Sequence, residues 1–287
     1  MWEAITMNWL LFRDAILAAI ISGGVLALLG VYVVARRIVF VSAALSQVSA
    51  LGVVLGFFLV STLTLGGGLA GILPVGLALI LALSAVLALA WIGDSPSLGR
   101  DAVLGIAFIV PTALVLVLGP KIPSEMHSVE QILHGSAVLV RPGDLYAIAA
   151  AGAAVLIAQF VAFRGFVFAS LDPQVARTQG VPVRILDMLL FASIAIMTGL
   201  VTRALGAMPT FALTVLPAVA VLGLRIGLRN VFILAALIGA ASGAGGFIVA
   251  YMMDWSVGAS QTLVAMGFLL LVRGATVAAR AVGARNL

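Results

Sequence analysis

Side chains able to do chemistry are few in this sequence of 287 residues, and they fall in three places. The first is the polar stretch Pro120 to Gly143, which holds both histidines. If residues 124–135 are helical, His127, Glu130 and His134 stand at i, i+3 and i+7, so two imidazoles and a carboxylate share one face. Those are zinc ligand types. The plainer reading is three polar side chains turned to water on an amphipathic helix. The second place is an apolar segment near 41–60, where Ser42, Ser46 and Ser49 fall at i, i+4 and i+7 on one helical face. Hydroxyls in such a segment bond their own backbone or a neighbouring helix more often than a solute, though a neutral solute path is also open to them.

The third place is Ser170 to Arg184, SLDPQVARTQGVPVR. Asp172 before Pro173 is a helix-start signal, because the carboxylate accepts orphan N–H groups and proline loses nothing at the first helical position. Gly180 can end that helix in a left-handed conformation, and Pro182 prevents it from restarting. A helix over about 173–179 is too short to cross a bilayer at roughly 1.5 Å per residue. It must lie on the membrane surface or project from it. Val175 and Ala176, with Gln174, Arg177, Thr178 and Gln179 around them, suit docking into a partner's groove.

Several chemistries are excluded. Nucleotide hydrolysis needs a glycine-rich loop ending in Lys before Ser or Thr, and the one lysine, Lys121, lies in Gly119–Pro120–Lys121–Ile122. With no cysteine, disulfides, thiolate chemistry and iron–sulfur ligation are out. An intramembrane protease would need a base or metal ligands at membrane depth, and both histidines lie in the 120–143 loop. The expectation is a protein with no catalytic residues of its own.

The elements that position these residues are membrane spans. A chain that is 64% hydrophobic and 9% charged, with a mean hydropathy of +1.30, has too little polar surface for a soluble globule. It reads as an all-α polytopic membrane protein, a single transmembrane domain over 1–287. Nine spans are placed near 14–35, 41–60, 68–92, 102–119, 144–163, 185–205, 209–224, 231–253 and 260–276, with eight to ten allowed by the pattern. Nothing before the first span resembles a cleaved export signal, so that span is expected to be retained. If the 170–184 loop is cytoplasmic, that side receives eleven arginines, and the other receives Arg13, Lys121, Arg141 and Arg203, which accounts for all fifteen basic residues. This agrees with the positive-inside rule, with the amino terminus outside and the carboxyl terminus in the cytoplasm. The +5 net charge therefore calls for no nucleic acid. Gly52 with Gly56, Gly67 with Gly71, and Gly239 with Gly243 have the spacing that lets another helix approach closely. Arg184 and Asp187, one turn apart, are expected to pair with each other near the interface.

Five separated phrases, in order, resemble the permease subunits of ATP-binding-cassette importers of the zinc and manganese type. In the 170–184 stretch the matching residues are Leu171, Asp172, Pro173, Ala176, Gly180, Val183, Arg184, Leu186 and Asp187. Arg36 and Arg37 precede Ser42 to Val48, similar to that family's paired-basic phrase and G-D-A-L-S-H-A. Asp101 to Phe108, Gly206 to Ala220 and Asp254 to Ser260 resemble further family phrases. The resemblance implies a type II-like importer permease in a bacterial plasma membrane. Asp172, Pro173, Gln174, Val175, Ala176, Arg177 and Gly180 would then couple it to a cytoplasmic ATPase carrying the ATP. A second permease copy and an external solute-binding protein are the other implied partners. It also implies a translocation path past Ser42, Ala43, Ser46, Gln47 and Ser49. The family's aspartate and histidine, which help to hold a divalent cation, fall on Ala43 and Gln47, so these positions cannot ligate as theirs do. A divalent ion at midplane without a carboxylate faces a large desolvation penalty.

The expected cargo is thus a divalent metal (zinc, manganese or iron) held elsewhere, for instance first at His127, Glu130 and His134. Alternatives are a metal chelate, a non-metal solute, or a secondary transporter. The last would need an ionisable relay within the spans, where no Asp, Glu, His or Lys lies deep. A silent scaffold subunit is a further class. No tightly bound cofactor is expected.

Overall fold

In a membrane-spanning chain each backbone polar group must be satisfied within its own segment, which favours helices wherever the sequence is continuously apolar. The computed structural model describes residues 9–64, 68–92, 100–122, 140–224 and 226–283, and helix dominates them without a strand. His127, Glu130 and His134 lie outside the described residues.

Helix α1 is Trp9–Ala35, α2 is Val39–Thr62, α3 is Gly68–Ile92 and α4 is Arg100–Leu118, which runs into a 3-10 turn at Gly119–Lys121. Helix α5 is Pro142–Val161, α6 is Phe163–Leu171 and α7 is the short Pro173–Thr178. Then follow α8 Val183–Leu205, α9 Ala207–Val221, α10 Leu228–Met253 and α11 Val257–Gly283. Eight of the described helices are long and apolar enough to cross a membrane, and α9 is a shorter apolar helix.

The seventh span differs from expectation. Placed at 209–224 by its hydropathy, the helix runs from 207 to 221, because Gly206 at φ 102° breaks it sharply from α8. Its 15 residues cover about 22 Å at 1.5 Å per residue, short of a hydrocarbon core of about 30 Å. The chain nevertheless crosses at this point. Helix α8 ends beside Asp144 and Gly71, whereas α10 begins beside α6, where Phe163 and Phe232 stack edge to face at 5.3 Å. A short helix is tolerated because it lies inside the bundle, packed on α1, α2, α10 and α11, with Pro209, Leu213, Pro217 and Val221 buried.

Close packing rests on small residues, since lipid offers apolar side chains no incentive to leave it for one another. A Cβ at Gly239 of α10 would stand 2.2 Å from the carbonyl oxygen of Gly23 in α1, and one at Gly56 of α2 would stand 2.3 Å from Cα of Pro74 in α3. Both helix pairs touch backbone to backbone. The Gly67–Gly71 spacing is described only at its second residue. Gly67 is outside the described residues, and a Cβ at Gly71 would meet open space.

Two polar clusters mark the two ends of the bundle. At one end Arg203 Nη1 lies 3.1 Å from Asp144 Oδ1 and donates to the Gly71 carbonyl at 3.0 Å, joining α8, α5 and α3. At the other, Arg36 just beyond α1 reaches Ser170 and Asp187, joining the first hairpin to α6 and α8. Phe12 of α1 packs on Phe247 and Tyr251 of α10, while Arg273 of α11 donates to the Val219 carbonyl at the far end of α9. Trp9 and Gly283 therefore lie at opposite ends of the bundle.

Candidate functional site: a capped surface helix

Helix α7 forms where the residue types dictate. Asp172 Oδ1 accepts hydrogen bonds from the backbone N–H of Gln174 at 3.2 Å and Val175 at 3.0 Å, which satisfies two orphan donors of the first turn. Pro173 occupies the first helical position. At the other end Gly180 takes φ 75°, and the N–H of Val181 returns to the Ala176 carbonyl at 3.1 Å. This left-handed closure is open to glycine at little steric cost. The helix ends at Thr178, a residue before the expected 179.

Only one side chain of α7 is buried. Ala176 has no exposed surface and seats the helix on α6 and α8, while Gln174, Val175, Arg177 and Thr178 face outward. Val175, expected to share a side with Ala176, is instead 42% exposed and stands as an apolar knob, as Leu171 before the cap is also exposed. One small residue therefore holds down a helix whose remaining side chains are free to meet a partner.

The mounting of this helix is the part that sequence reasoning missed. Arg36 Nε donates to Ser170 Oγ at 2.9 Å, and Arg36 Nη1 pairs with Asp187 Oδ1 at 2.5 Å. Ser170 lies two residues before the cap and Asp187 opens α8, so one guanidinium grips both roots of the segment. The expected Arg184–Asp187 pair gives way to this one. Arg184 is exposed on α8, whereas Asp187 is turned toward the chain turn after α1, where Arg37 adopts a left-handed φ of 58°. A signal was present in the Arg36–Arg37 doublet, but charge bias explained it without naming a partner.

The second candidate group sits on α2. Ser42, Ala43, Ser46 and Ser49 are all buried, and Gln47 is half-buried. Ser42 Oγ donates to the Val39 carbonyl and Ser46 Oγ to that of Ala43, so the backbone-bonded reading holds for both. Ser49 Oγ and Gln47 Oε1 are buried without a hydrogen-bond partner, and so are Ser22 Oγ of α1 and Thr198 and Thr202 Oγ1 of α8. Helix α2 packs on α3, α4, α8 and α9, which encloses the serine face within the protomer. Among the described residues no group of three His, Cys, Asp or Glu is placed to hold a metal ion.

The described residues form a bundle of apolar helices, eight of them long enough to cross a membrane, with a capped helix facing outward at one end, the architecture of a polytopic membrane protein. The chain belongs to the ABC 3 transport family, whose model matches residues 8–275. It is 24% identical over 259 residues to the manganese transport system membrane protein MntC of Halalkalibacterium halodurans, spanning 90% of this chain and 85% of the relative. The chelated iron transport system membrane protein YfeD of Yersinia pestis is 24% identical over 246 residues, spanning 86% of this chain and 79% of the relative. Among solved structures, PsaBC from Streptococcus pneumoniae in complex with Fab superposes with a TM-score of 0.81 at 22% identity over 95% of each chain, a shared fold.

Proposed function

We propose that this chain is the permease of an importer for divalent manganese or iron, driven by ATP hydrolysis in a separate subunit that docks on α7. The observation that carries the reading is α7 itself: a helix fixed at both ends and buried through Ala176 alone, with Gln174, Val175 and Arg177 presented outward. Closure of the nucleotide-binding pair would push on α7, and Arg36 would pass the displacement to α1 and α8 together. The α7 end then faces the cytoplasm and the Arg203–Asp144 end faces outside, where a solute-binding protein would deliver the cargo. Arg36, Arg37, Arg164, Arg177, Arg184 and Arg229 at the α7 end support that orientation. The membrane is the bacterial plasma membrane, and two copies would enclose the path between them.

The relatives' manganese and iron support the cargo. Ala43 and Gln47 favour a second form of it, a metal that travels with a chelator, because a neutral path cannot offset the charge of a bare ion.

Lacking cysteine, the chain accepts single-cysteine probes without interference. Gln174→Cys and Arg177→Cys are expected to cross-link to the ATPase subunit, and vesicles containing both are expected to take up labelled manganese only with ATP. Cross-links confined to the external side, or ATP-independent uptake, would end the proposal. Uptake of iron chelate in preference to free manganese decides between the two cargo forms.

A further inference from the structure

Helices α5 and α10 both pack on α1, and the space between them at the α7 end is an open groove of about 870 Å³. Leu28 of α1 forms its floor, Leu156, Ile157 and Phe160 line one wall, and Phe232 and Ile233 line the other. Ile157 is 64% and Phe160 83% exposed, so the wall opens outward toward the surrounding bilayer. At the membrane boundary the groove is bracketed by Arg164 at the start of α6 and Arg229 at the start of α10, both exposed and neither in an ion pair with a described residue.

Gln159 gives the groove its polarity. It lines the cavity, is 3% exposed, and neither Nε2 nor Oε1 has a hydrogen-bond partner. An unmatched primary amide at this depth is costly, because hydrocarbon supplies neither donor nor acceptor. A ligand that fits must place hydrogen-bonding groups inside the arginines and an apolar tail beyond them. Phosphate, glycerol ester and acyl chain follow in that order in a phospholipid.

We propose that the α5–α10 groove is a binding site for an anionic phospholipid of the leaflet at the α7 end. Its phosphate sits between Arg164 and Arg229, its ester carbonyl accepts from Gln159 Nε2, and one acyl chain lies against Leu28, Ile157 and Ile233. The site borders α6, which leads directly into α7, so a bound lipid would brace the segment that carries the surface helix. The inference needs the membrane reading of the fold but neither the cargo nor the ATPase.

Native mass spectrometry of the full-length permease, with phosphatidylglycerol and phosphatidylcholine supplied at equal concentration, reads the preference. Each arginine beside an anionic headgroup contributes about a factor of five, so Arg164→Ala with Arg229→Ala is expected to lower phosphatidylglycerol retention about 25-fold and leave phosphatidylcholine unchanged. Arg164→Lys with Arg229→Lys should keep most of the preference. A second measurement does not need the alanine variant to fold. The fluorescence that Ile157→Trp adds to that of the four native tryptophans should be quenched more by brominated phosphatidylglycerol than by brominated phosphatidylcholine. Equal quenching by the two lipids, or unchanged retention in the double alanine variant, overturns the proposal. So does a shift in protomer stoichiometry with an unchanged lipid ratio, which would assign the groove to a second copy of the chain.

Discussion

Replacing Arg36 with glutamine keeps a polar but shorter side chain and removes the charge that holds Asp187. The Arg36 side chain is 12% exposed and that of Asp187 33%, so the pair lies between the surface case, worth about 0–1 kcal/mol, and the buried case, where losing one partner costs about 3–5 kcal/mol. Partial screening at Asp187 brings the expected loss to about 2 kcal/mol, and the weakened bond to Ser170 adds about 1 kcal/mol. Asp187→Asn leaves Arg36 its Ser170 contact but strands the more buried charge of the pair, so it should cost a similar amount. In a double-mutant cycle read by SDS-induced unfolding of the full chain in mixed micelles, Arg36→Gln and Asp187→Asn should couple by about 1–2 kcal/mol. In vesicles with the ATPase, Arg36→Gln should lower uptake per ATP hydrolysed while α7 cross-links persist. If the two substitutions add to within about 0.3 kcal/mol, Arg36 grips nothing that matters and the mechanical role assigned to it is wrong.

Asp172→Ala removes both cap bonds, should cost about 1 kcal/mol of local helix stability, and should weaken ATPase co-purification, with Asp172→Asn retaining most of it. Ala176→Leu introduces bulk at a position with no exposed surface and should unseat α7, seen as loss of ATPase binding by an otherwise stable permease. Gly56→Val drives side-chain atoms into the Pro74 backbone and should cost about 1–3 kcal/mol or more, measured as a loss of monodisperse protein after extraction. Arg203→Leu strands Asp144, 18% exposed, and should cost about 3–5 kcal/mol in unfolding, with Asp144→Leu added to it restoring part of the loss.

The α7 segment was legible in the sequence down to its cap, because Asp172, Pro173 and Gly180 act through neighbours within four residues. The glycine pairs on α2 and α10 were legible as surfaces for close approach, though not as to which helix approaches; at Gly71 a Cβ would meet open space. Asp187 illustrates the limit. Arg184 is near it along the chain, yet its partner stands 151 positions away, and that choice depends on how α1, α6 and α8 meet. Gln159 gave no signal at all, since an amide near the end of an apolar span looks the same with a partner or without one.

By itself the sequence determined that the chain lives in a bilayer, roughly where it crosses, and that it presents a short capped helix at one end. Those features follow from hydropathy and from bonds between near neighbours, both of which act before the chain is packed. Tertiary structure alone decided that the short α9 still completes a crossing, that Arg36 rather than Arg184 holds Asp187, and that α5 and α10 part to leave a groove over a buried amide. Each depends on distances between segments far apart in the chain, which the order of residues does not fix until the helices have found one another.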